Sequence, residues 1–141
     1  MIQRIQTVFL LAVILAGVAL LFVPLYTWID PQGKPIAETA LAQTAFLALT
    51  ALICIAAATA ISMYARRPLQ SRIALGGAVL SVITFVLVFL FPKEIAGLPE
   101  ATVVKAEAGT WVYLVMDFMF VAAFIFIRKD EQLVRSADRI R

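Results

Sequence analysis

Four long apolar runs dominate the chain, at about 8–29, 40–64, 73–91 and 110–127, and the only charge inside any of them is Asp117. A hydrocarbon layer about 30 Å thick is crossed by about 20 such residues in a helix that rises 1.5 Å per residue. In lipid every backbone N–H and C=O must find its partner within the segment, so each run is expected to be a helix. The short alternating segments of a membrane β-barrel are absent from the sequence. Of the 141 residues, 63% are hydrophobic and 15% charged, against roughly 45–50% and about 25% in soluble domains. A soluble domain of this size has too much surface for its volume to hide that much apolar side chain. The expected fold is all-α: one integral membrane domain over 1–141, an antiparallel four-helix bundle. A water-soluble enzyme, a disordered regulator and a nucleic-acid-binding domain fit poorly. Arg4 followed by an apolar stretch has the look of a signal peptide. That stretch outlasts a signal core of 7–15 residues and ends in Tyr26 and Trp28 without a small-residue cleavage site, so it is expected to be retained.

Basic residues give the expected direction of crossing. The chain carries 12 Lys and Arg, and all but Lys34, Lys93 and Lys105 fall on one side if the N-terminus is cytoplasmic. That side holds Arg4, then Arg66, Arg67 and Arg72, then Arg128, Lys129, Arg135, Arg139 and Arg141. The positive-inside rule therefore predicts both termini in the cytoplasm of a bacterial inner membrane. Anionic headgroups are the expected partner of the basic groups, and the pI of about 9.4 needs no nucleic acid to explain it. Asp30, Glu38, Glu94, Glu100 and Glu107 make the opposite face acidic.

Small residues suggest how the helices approach one another. The second run has Ala40, Thr44, Ala48 and Ala51 along one face and is expected to lie centrally. The third has Gly77, Ser81 and Thr84, with Gly76-Gly77 read as packing at a helix start; the first has Ala12 and Ala16. Pro24 is expected to kink the outer end of the first helix. Apolar residues of the long connection 92–109, among them Ile95, Leu98, Val103 and Val104, are expected to rest on the membrane interface or on the bundle's end. The tail 128–141 places Leu133, Val134, Ala137 and Ile140 on one helical face. It is expected to form an amphipathic cytoplasmic helix, which either extends the fourth span or lies on the membrane, or docks a partner.

Asp117 is the residue that costs something. A carboxylate at mid-membrane is disfavoured by about 2.5–3.5 kcal/mol on insertion scales, and no span holds a Lys or Arg to pair with it. Candidate hydrogen-bond partners at similar depth are Ser81, Thr84, Thr50 and Tyr113. One reading is a neutral acid held by these hydroxyls to set helix register; the other is a relay for protons or cations. Elsewhere the chemistry is sparse. The chain has no histidine and a single cysteine, Cys54, read as buried and structural. No nucleophile–base pair, metal cluster or phosphate-cradling glycine loop is present, so neither catalysis nor a cofactor is expected.

Three segments carry a resemblance. They are the opening Met1-Ile2-Gln3-Arg4-Ile5-Gln6-Thr7, the loop Arg66-Arg67-Pro68-Leu69-Gln70-Ser71-Arg72, and the closing stretch from Ile127 to Arg141. Together they resemble an uncharacterised family of small four-span membrane proteins from Bacteroidota, catalogued as domain of unknown function 4293. The resemblance implies four spans and an inner-membrane location, and it brings no activity with it. The expected function is a non-enzymatic accessory or scaffold subunit of a membrane complex, touching a membrane-protein partner or its own copies. The alternative is a small homo-oligomeric proton- or cation-coupled transporter or channel using Asp117. Cysteines introduced singly at Lys34 and Arg72 should label from opposite faces of intact cells, with both termini on the face of Arg72. Either terminus on the face of Lys34 would overturn this orientation.

Overall fold

A computed structural model describes residues 2–99 and 102–138. The elements follow in the order α1 (Ile2–Ala19), β1 (Pro24–Ile29), β2 (Pro35–Thr39), α2 (Thr44–Ser62), α3 (Arg67–Leu90), α4 (Pro92–Ala96), β3 (Val104–Ala106) and α5 (Ala108–Asp138). Among the described residues three helical stretches are long and apolar enough to cross a membrane: Thr44–Ser62, Arg67–Leu90 and Ala108–Val134. The chain is mostly helical, but it is not all-α, because the three strands form a sheet in the order β2-β1-β3.

The first run departs most from expectation. Helix α1 stops at Ala19, and its apolar stretch, Ile5–Ala19, is shorter than the other three. Pro24 does not kink a helix; it opens β1. The segment Pro-Leu-Tyr-Thr-Trp-Ile is rich in aromatic and β-branched residues that favour an extended backbone, and proline is tolerated as the first residue of a strand. At Asp30-Pro31-Gln32-Gly33 the chain reverses: the Gly33 N–H donates to the Asp30 carbonyl at 2.8 Å, and Gly33 takes a φ of 80°. Asp, Pro and Gly hold the positions that a type I turn prefers for them, and only glycine accepts that φ without strain. Strands β1 and β2 then pair antiparallel, with Tyr26 opposite Glu38 and Trp28 opposite Ile36. On its other edge β1 pairs with β3, Tyr26 opposite Ala106.

The helices close into a ring in which α1 packs on α2 and α5, and α3 packs on α2 and α5. Its core is formed by Leu10, Val13, Phe46, Ile53, Ala57, Met116, Phe120 and Ala123 with their neighbours. The small-residue seam expected on α2 does not face inward. Ala40 precedes the helix, while Thr44, Ala48 and Ala51 are exposed; Phe46, Thr50, Ile53, Ala57 and Ala60 form the buried face. The seam on α3 is as expected, with Gly77, Ser81 and Thr84 all buried. Gly76 and Gly77 stand well inside α3, not at its start, because the helix begins at Arg67 with Pro68 in its first turn. The 31 residues of α5 reach about 46 Å, so the fourth run and the start of the tail are one helix.

The two neighbouring glycines differ in their surroundings. A Cβ on Gly77 would lie 2.5 Å from the Phe120 ring, whereas one on Gly76 would meet nothing within 4 Å. Gly77→Val should therefore destabilise the protein by about 1–3 kcal/mol through overpacking. Gly76→Ala should leave stability unchanged or raise it by up to about 1 kcal/mol. Thermal unfolding in detergent would separate the two, and equal effects would refute the packing role of Gly77.

Candidate functional site

A relay of hydroxyls crosses the middle of the ring. Thr50, on the buried face of α2, donates to the Phe46 carbonyl at 2.7 Å, the i−4 bond open to a threonine in a helix. Its oxygen is also 2.7 Å from the Tyr113 hydroxyl on α5. A threonine hydroxyl has one hydrogen, already given to Phe46, so Tyr113 is the donor to Thr50. Ser81 on α3 donates to the Tyr113 carbonyl at 2.8 Å. Thr84 donates within its own helix, to Leu80 at 2.8 Å. Thr50, Ser81, Thr84 and Tyr113 are all buried.

Four of the five polar residues singled out from the sequence thus lie at the bundle centre, three of them joined, and Asp117 stands apart. The expected bonds from these hydroxyls to the acid are not formed, because every hydroxyl hydrogen is already donated elsewhere. Asp117 is half-buried, between buried Met116 and a Phe118 that is 68% exposed. It stands on α5 one turn after Tyr113, whose carbonyl accepts from Ser81 of α3. Cys54, expected to be buried, is half-buried against Gly17 of α1.

At the end of the molecule away from the sheet, Arg67 Nε lies 2.9 Å from Asp130 Oδ2 and so joins the first turn of α3 to the extension of α5. Arg66, Arg72, Arg128 and Lys129 are exposed, and the Arg128 guanidinium sits 5.3 Å from the centre of the Phe124 ring. Leu133 and Val134 are exposed on the extension. Arg139, Ile140 and Arg141 lie outside the described residues, as do the side chains of Arg4, Arg135 and Ala137.

At the opposite end, the sheet and the start of α5 lock together. The Thr110 hydroxyl donates to the Leu25 carbonyl at 2.5 Å, and the Glu107 N–H donates to the same oxygen at 2.8 Å. A Cβ on Gly109 would lie 2.5 Å from the Pro24 carbonyl oxygen. Thr27 donates to Glu107 at 3.1 Å and the Trp28 indole N–H to Glu38 at 3.3 Å. Tyr26 is buried, and burial, with the Glu38 charge adding to it, pushes its phenol up to about 12. The Gln43 side chain beside it tempers that rise without completing a hydrogen bond to the hydroxyl. Of the apolar residues in the connection 92–109, Ile95, Leu98 and Val104 pack onto the core, while Val103 is exposed. These contacts escaped the sequence reading, although aromatic and β-branched residues bounded by Pro24 and an Asp-Pro-Gln-Gly turn are a hairpin signal.

Across residues 2–140, nearly the whole of this architecture, the sequence matches the family model described as Domain of unknown function (DUF4293). The chain belongs to the DUF4293 family. No curated protein and no solved structure matches it. DUF4293 membership accounts for the resemblance carried by the two ends and the arginine loop, and it attaches no activity to the polar residues.

Tyr113→Phe should lower stability by about 0.5–1.5 kcal/mol, the worth of one internal hydrogen bond. Asp117→Asn should change it by less than about 0.5 kcal/mol, since no internal bond is lost. Unfolding in detergent would measure both; a larger loss from Asp117→Asn would show that the acid holds the fold.

Proposed function

We propose that this chain is a multi-pass protein of a bacterial inner membrane, with both termini cytoplasmic, acting as a non-enzymatic accessory or scaffold subunit of a membrane complex. The observation that carries the reading is the position of Asp117. It lies on the rim of the helical ring, and among the described residues no side chain is bonded to it. A polar group at depth that its own chain leaves unsatisfied is an expected point of contact with another membrane protein. The three long apolar helices support the membrane setting. Arg66, Arg72, Arg128 and Lys129, exposed together at the end away from the sheet, suit anionic headgroups on the cytoplasmic face. The sheet end would then face outward, with Trp111, 50% exposed, at the level where aromatic residues gather in a bilayer.

Purification from the native membrane in mild detergent should yield the chain with a second protein in fixed ratio. A single species of monomer mass would overturn the accessory reading. Reconstituted proton-coupled flux that is lost in Asp117→Asn would favour a homo-oligomeric transporter in its place.

A further inference from the structure

Asp117 lies nine residues into a helix that starts at Ala108, about 14 Å along its axis. Its short side chain cannot reach either end of the apolar layer, as a lysine or arginine can by snorkelling. The layer around it is well defined. Ser81 of α3 bonds Tyr113, and Gly77 touches Phe120, so α3 residues 77–82 face α5 residues 113–120. Beside the acid on α5 the outer surface is apolar, with Phe118 and Val121 exposed.

Among the described residues no side chain in this layer is bonded to the acid. The hydroxyl hydrogens of Thr50, Thr59, Ser62, Ser81 and Thr84 are all given to carbonyls, and Tyr113 gives its own to Thr50. Basic side chains lie only outside the apolar runs. The next cation along α5, Arg128, is eleven residues away, about 16 Å along the axis, and is engaged with the Phe124 ring. A second copy repeats the same inventory and would bring no cation to this depth. Charge complementarity must then come from a different chain. Resting on the accessory reading above, we propose that the rim of α5 beside α3, centred on Asp117, docks a transmembrane helix of a partner protein that carries a lysine or arginine at mid-membrane. The ionised pair satisfies both charges where neither could stay unpaired, and the apolar residues around Asp117 lie along the partner helix.

The test uses the full chain in phosphatidylcholine vesicles, labelled at its N-terminus. The probes are two leucine-rich transmembrane peptides, identical except for a single central Lys or Met, and association is read by energy transfer. The Lys peptide is expected to associate about tenfold more tightly than the Met peptide. In Asp117→Asn that preference should fall to about threefold or less, with thermal unfolding unchanged to show that the variant is folded. Equal association of the two peptides, or a preference that survives in Asp117→Asn, overturns the proposal. So does an Asp117-dependent association of the chain with itself, which would make a second copy the occupant. The peptides probe the contact directly, so its failure is distinct from a native purification that yields no partner.

Discussion

The hydrogen-bonded line from Ser81 through Tyr113 and Thr50 to Phe46 ties three helices together at the centre of a mainly apolar interior. In such surroundings each unmet donor or acceptor is expensive, so the hydroxyls must be placed where every hydrogen has a carbonyl or an oxygen to go to. Tyr113 is the hinge of this arrangement, bonding α2 through its side chain and α3 through its backbone. Phe120 seats on Gly77 two turns further along α5. The register between α3 and α5 therefore rests on one polar and one steric contact, each excluding a slide of the helices.

The two ends of the molecule are finished differently. At one end a three-stranded sheet caps the helices, and the carbonyl of Leu25 accepts two bonds from the start of α5. One donor is the backbone N–H of Glu107, just before α5, and the other is the side-chain hydroxyl of Thr110 in its first turn. At the other end an ion pair, Arg67 with Asp130, joins the first turn of α3 to α5. It leaves Arg66, Arg72, Arg128 and Lys129 exposed.

The engaged hydroxyls at the bundle centre also give Asp117 its meaning. Had the hydroxyls turned to the acid, it would be one more structural bond. They are engaged with one another and with carbonyls, and the acid is left on the rim. Its place there connects the packing of the core to the proposal that another protein completes the site.

Hydropathy alone determined that the chain is built from long apolar helices, because backbone groups without water leave few alternatives. It located α2 to within a few residues, whereas α3 starts earlier than expected, at Arg67, and α5 runs on past 127 to Asp138; four of the polar residues it marked at depth, Thr50, Ser81, Thr84 and Tyr113, are buried in the bundle. Periodicity was weaker evidence for which face turns inward. On α2 nearly every position is small or apolar, so Ala48 and Ala51 could not be told from Ala57 and Ala60 until neighbouring helices chose among them. The strand at Pro24–Ile29 was hidden for a related reason: its residues are as hydrophobic as those of a helix, and what makes them a strand is pairing with β2 and β3, distant partners that hydropathy does not see. Only the tertiary structure decided where each hydroxyl hydrogen goes, since that depends on which helices meet at Tyr113, and so only it could leave Asp117 without a bonded side chain among the described residues.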